Sequence, residues 1–185
     1  MSGKKNILAI IGSASTNSSN QKLVEHIKKL TIDHFKLTIY NRLKEIPHFD
    51  PELSNENLPE NVLSFITAIN HADGVLICTP EYIFSIPSGL KNAIEWCVST
   101  TIFTNKPIAL ITASAQGEKG HEELQMIMRT LMSNFTDETT LLIQGIKGKI
   151  NEKGELSDQL LSNDLDRLIT AFKELVEDKV ISSNS

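Results

Sequence analysis

Ile7-Leu8-Ala9-Ile10-Ile11, closed by Gly12, is a run without a polar residue, and Gly74-Val75-Leu76-Ile77-Cys78 is another. A strand with one wet face alternates apolar and polar side chains, so runs like these belong to a sheet covered on both faces. Strands are predicted over 5–11, 35–40, 74–78, 106–113 and 139–143. Between and after them, apolar residues fall at helical spacing. The stripes are Leu23, Ile27 and Leu30; Val62, Phe65, Ile66 and Ile69, with Pro59 as a first-turn residue; and Leu90, Ala93, Ile94, Cys97 and Val98. Leu124, Met128, Leu131 and Phe135 make a fourth, and Leu161, Leu165, Leu168, Phe172 and Val176 a long last one. Strands alternating with helices predict an α/β three-layer sandwich around a parallel sheet. Right-handed crossovers and the chain length make the flavodoxin-like order 2-1-3-4-5 the leading topology.

The 185 residues, 40% of them hydrophobic, suit one domain over 1–185 with a sizeable core. A net charge of -5, with the basic residues scattered, argues against a nucleic-acid partner, whose phosphates require a basic face. No apolar run is long enough for a membrane span or a signal-peptide core. Cys78 and Cys97 sit in apolar surroundings without metal-ligand spacing, which points to a reduced, cytoplasmic home and no metal. Residues 41–59 carry three prolines and no clear period, so a functional loop or short helical turn is expected there. Residues 145–154 read as an irregular or hairpin excursion, and the polar end 182–185 as disordered.

In this topology the loops after the first and third strands meet at one crevice, with the loop after the fourth beside them. The first, 12–20, is almost wholly Gly, Ser, Thr and Asn, and it opens a helix. Backbone N–H groups at a helix start, with hydroxyls from Ser13, Ser15, Thr16 and Ser18 and the Asn20 amide, make a neutral phosphate cradle. A Ser-rich helix cap without a ligand has the same composition. Neither a Gly-Lys-Ser/Thr phosphate loop nor a Gly-x-Gly-x-x-Gly dinucleotide fingerprint is present.

The second loop begins Thr79-Pro80-Glu81-Tyr82-Ile83-Phe84-Ser85. The Tyr82 ring can face a flat heterocycle while the backbone around Pro80, Glu81 and Ile83 bonds its polar edge. Glu81 reads as a structural acceptor, or as a contact to a ribityl hydroxyl or a neighbouring subunit. Lys91 and Glu95 read as a solvated i,i+4 pair. Trp96, off its helix stripe, is either a satisfied boundary aromatic or an interface residue. In the third loop, 114–120, Gly117 and Gly120 allow close approach to a ligand, as they would in a plain connection. His121 is expected at the surface or at the helix start, not in proton transfer.

Gly12-Ser13-x-x-x-x-Ser18-x-Asn20, Pro80-Glu81-Tyr82-x-x-Ser85-x-Pro87-x-x-Leu90-Lys91-Asn92-Ala93-x-Glu95-Trp96 and Ser114-x-x-Gly117-x-x-Gly120 together resemble the NADPH-dependent FMN reductase family. That group includes quinone, chromate and azo-dye reductases. The resemblance implies FMN with its phosphate among Ser13, Ser15, Ser18, Ser19 and Asn20, and its ring against Pro80, Glu81, Tyr82, Ile83 and Ser85, near Ser114 and Gly117. It implies hydride transfer from NADPH or NADH through the flavin to a small acceptor, and a homodimer or homotetramer. No side chain is expected to act as acid, base or nucleophile, because the flavin carries the hydride chemistry. Ser15 stands where the family often has Arg, which weakens the case for strict NADPH preference. Ile83 stands at a usual Asn and Phe84 at a frequent Gly, which alters the rim of the substrate pocket. A flavodoxin-type electron carrier and a flavin-binding sensor without reductase activity are the alternatives.

Overall fold

A computed structural model describes residues 3–53 and 57–182, with side chains as far as Asp178. Strands β1 (Lys5–Ile11), β2 (Phe35–Tyr40), β3 (Gly74–Thr79), β4 (Ile108–Ser114) and β5 (Thr140–Gln144) form one sheet of order β2-β1-β3-β4-β5. Every neighbouring pair is parallel. The helices are α1 (Ser19–Leu30), α2 (Glu60–His71), α3 (Ser88–Glu95), α4 (Glu118–Thr130) and α5 (Gln159–Ser182). The polar tail predicted to be disordered lies, from 183 onward, outside the described residues, while Ser182 closes α5.

The period of two along each strand divides the core into two halves. Ile7, Ala9 and Ile11 of β1, with Leu76 and Cys78 of β3, pack beneath α1 and α5. Leu8 and Ile10, with Val75 and Ile77, pack beneath α2, α3 and α4. Every residue of β3 is buried, which is why its sequence is a continuous apolar run with no alternation. Gly74 lets α5 close onto that strand: a Cβ there would stand 2.8 Å from Val176 Cγ2.

Residues 41–59 contain two short 3-10 turns, Leu43–Glu45 and Pro51–Leu53. The stretch is tied down by α3. Asn92 Oδ1 accepts from Phe49 N at 2.7 Å, and Asn92 Nδ2 donates to Pro47 O at 2.9 Å. Trp96 completes the clamp: Nε1 donates to Pro47 O at 2.9 Å, and its ring meets Phe49 edge-on at 5.3 Å. Only 1% of Trp96 is exposed, so the interface reading of this residue is overturned. Two other stripe residues also depart from expectation: Leu30 and Val98 are exposed. Leu30 is the last residue of α1, where the helix face runs out, and Val98 lies beyond the end of α3 at Glu95, where helical spacing no longer fixes a face.

Candidate functional site

All five strands point the same way, so their connections to the following elements emerge along one edge of the sheet. There they enclose a cleft of about 620 Å³. One wall is the β1–α1 loop, contributing Ser13, Ser15, Asn17, Ser18, Ser19 and Asn20. Pro80 and Tyr82 face it from beyond β3, and Ala113, Ser114 and Ala115 form the floor at the end of β4. The closing wall is Gly145-Ile146-Lys147, just after β5.

The first wall is built with little strain. The chain passes from β1 into it at Gly12, whose N–H extends the ladder to Cys78 O at 2.8 Å. A Cβ on Gly12 would lie 2.3 Å from Thr79 Oγ1, so no larger residue fits between the ends of β1 and β3. Asn17 turns the backbone with φ 62°, a region Asn tolerates better than most residues. Ser18 then caps α1, its Oγ accepting from Gln21 N at 3.1 Å. Asn20 is buried and acts as a rivet. Its Nδ2 donates to Ala113 O at 3.0 Å, and Cys78 Sγ donates to its Oδ1 at 3.2 Å. The amide predicted as a phosphate donor thus pins the loop to the sheet. Burial raises the Cys78 pKa well above that of an ordinary thiol, so it stays a protonated donor.

The second loop is held by two carboxylates exchanged with α4. Glu81 Oε2 accepts from Gly120 N at 2.8 Å and Oε1 from Gly117 N at 3.3 Å, capping the start of α4. Gly117 there has φ 93°, a conformation glycine adopts at least cost. In return, Glu123 Oε2 accepts from Ser85 Oγ at 2.7 Å and from Ile86 N at 3.0 Å. Ser114 Oγ donates to Glu81 O at 3.4 Å. Glu81, Ser85 and Gly117 therefore stand behind the cleft wall, not on it. His121, near the start of α4, shares a 2.9 Å hydrogen bond with Thr112 Oγ1, and burial holds its imidazole below the usual value.

Between Glu81 and Ser85 the chain makes a tight hairpin. Tyr82 N donates to Ser85 O at 2.9 Å and Ser85 N to Tyr82 O at 3.1 Å. Ile83 and Phe84 both have positive φ, 50° and 59°. That is the type I′ pattern, which strongly favours Asn-Gly, and a β-branched residue in it is an outlier. Ile83 is 94% exposed and Phe84 70%, both beside the cleft mouth but outside its lining.

The closing wall was not foreseen. Local composition shows only an irregular excursion, but the parallel topology places the turn after β5 at the same sheet edge as the other loops. Gly145, with φ 65°, reverses the chain, and its N–H donates to Ala115 O at 3.2 Å. The 3-10 turn Ile146–Gly148 follows, with Ile146 buried in the core.

Hydroxyls, an Asn side chain and the free N–H groups of a helix start suit a phosphate, and no carboxylate lines the cleft among the described residues. A second hollow of about 670 Å³, between β5 and α5, sets Asp137, Glu138, Asp164, Asp166 and Glu174 against the single cation Arg167, a balance unfavourable to a phosphate. No group of His, Cys, Asp and Glu among the described residues could hold a metal. Among them, too, no helix is long and apolar enough to cross a membrane.

Residues 5–144 match NADPH-dependent FMN reductases. The chain belongs to that family. This reductase is 30% identical over 174 residues to the NADH:(hydroxy)cinnamate reductase subunit CrdA of Vibrio ruber, covering 90% of this chain and 85% of that protein. It is 28% identical over 184 residues to a quinone reductase of Escherichia coli, covering 96% and 98% respectively. The flavoenzyme NAD(P)H:(acceptor) oxidoreductase FerB from Paracoccus denitrificans superposes with a TM-score of 0.83 at 26% identity, over 94% of this chain and 98% of that one. The cofactors of the family are FMN and a reduced nicotinamide nucleotide.

Proposed function

We propose that the chain, read as one domain, takes hydride from NADH or NADPH onto FMN held in the cleft, and that the acceptor is a small quinone, flavin, azo compound or chromate. The observation that carries this is the pairing of a neutral, donor-rich wall at the start of α1 with an aromatic rim at Tyr82. FMN, when bound, supplies the hydride chemistry. The protein supplies placement. Ser13, Ser15, Ser18 and Ser19, with the first N–H groups of α1, bind the phosphate, and Asn20 fixes that loop to the floor. Pro80, Tyr82 and Ser114 flank the flavin, while Glu81, Gly117 and Ser85 keep the loop and α4 rigid from behind. Ile83 and Phe84 form the outer rim, met by the acceptor or by a second subunit.

Ser15 puts no cation at that position of the cradle, which supports use of NADH as well as NADPH. The exposed Ile83 and Phe84 at the cleft mouth support a homodimer or homotetramer that covers them. Two free, buried cysteines suit a reducing, cytoplasmic setting. The test is anaerobic. The purified protein incubated with FMN is expected to retain a flavin spectrum that NADH and NADPH both bleach, and added quinone to restore it. Retained flavin that neither nucleotide bleaches would point instead to a carrier or sensor, and loss of all flavin on gel filtration would sink the site.

A further inference from the structure

We infer that Lys147 is the counter-charge for the FMN phosphate in this chain, an assignment that rests on the FMN reading above. A flavin phosphate is close to a dianion at neutral pH, yet residues 12–20 contain no Lys or Arg. Among the described residues lining the cleft, Lys147 is the only charged one. Two backbone contacts fix where its turn sits. At the end of β4, Ala113 O accepts from Asn20 of the phosphate loop, and two residues later Ala115 O accepts from Gly145. The β1–α1 loop and the 145–147 turn are thus fastened to the same short floor. Further along, the Cβ position of Gly154 is 3.7 Å from Lys22 O, so the excursion also rests against α1.

The local sequence places the base of Lys147 firmly. Gly145 reverses the chain with φ 65°, and Ile146 is buried as an anchor. The next side chain, Lys147, is exposed and lines the cleft wall. Its ammonium makes no ion pair or hydrogen bond among the described residues, whereas Lys149, two positions on, is bridged to Asp158 at 3.2 Å. A flexible four-carbon stem with a compact charge is suited to meeting a phosphate as a point charge and not as a rigid fork. The helix start and hydroxyls of the opposite wall supply direction, and Lys147 supplies charge.

The test compares FMN with riboflavin, which shares the ring and ribityl chain but lacks the phosphate. Quenching of flavin fluorescence gives both dissociation constants for the wild type and for Lys147→Gln, Lys147→Glu and Lys147→Arg. Lys147→Gln is expected to weaken FMN about 10-fold and Lys147→Glu on the order of 100-fold, with riboflavin changed less than about twofold. Lys147→Arg should keep the FMN preference, and raised salt should shrink the wild-type preference. A wild type that favours FMN over riboflavin by the same ratio in all three variants overturns the Lys147 assignment and leaves the FMN site standing. A wild type that binds neither flavin overturns both.

Discussion

The two loops that face each other across the cleft are secured in opposite ways. The β1–α1 loop keeps its backbone in conformations its residues prefer, with Asn17 at the one turn that needs positive φ and Ser18 at the cap. Its fastening, Asn20, is buried and bonded on both sides of its amide. The 81–86 loop is clamped just as firmly at its ends by Glu81 and Glu123, but its tip holds Ile83 and Phe84 in a turn suited to Asn-Gly. Strain of this kind persists only where the surroundings over-determine it, and it gathers at functional sites. On the proposed FMN reading, the relaxed loop takes a generic task, holding a phosphate. On the same reading, the strained loop takes the chain-specific task of meeting an acceptor or a subunit.

The contrast is broken most severely at Ser18. Asp caps a helix as well as Ser does, so Ser18→Asp should leave the fold intact while its charge repels the phosphate. FMN affinity is expected to fall by about 100-fold or more on fluorescence titration, with the thermal midpoint unchanged within a few degrees. Unaltered affinity would refute the loop's role. Asn20 is next. Asn20→Ala leaves Ala113 O without its partner and loosens the loop, at about 2–3 kcal/mol in urea unfolding. An unchanged midpoint would show that the rivet carries no stability.

The strained side moves the other way. Replacing Ile83 by Asn and Phe84 by Gly together should stabilise the protein by about 1–2 kcal/mol, because both residues then suit the turn. FMN affinity should hold while KM for an apolar quinone rises. A destabilised double variant would mean that the two side chains are buried by a partner subunit in solution.

The smallest effect is at His121, behind the second loop. Burial lowers its folded pKa below the ordinary 6.5, so the unfolded chain binds this proton first as pH falls. Its contribution is therefore intact above about pH 6.5 and declines as pH drops from there toward the folded value. The Tm of His121→Asn should fall less over that window than that of the wild type; parallel curves would exclude His121 as the source.

The strands were legible because burial on both faces writes a continuous apolar run, as in β3, and the order followed from chirality and length. The cleft-lining hydroxyls at the start of α1 were legible for a local reason, since caps and anion sites draw on the same residues. Trp96 was opaque because its partners, Pro47 and Phe49, lie far back in the sequence. The Glu81 and Glu123 clamps are non-local in the same way. Lys147 was hidden for another cause: a lysine in a polar excursion looks like any solvated lysine until the sheet edge puts it beside the cleft.

A crystal structure of the FMN complex tests the central claim most directly. The phosphate should lie within hydrogen-bond distance of Ser13, Ser18 and the first N–H groups of α1, with the ring edge beside Pro80 and Tyr82. A phosphate placed away from residues 13–20, with the flavin on any other surface, would contradict it.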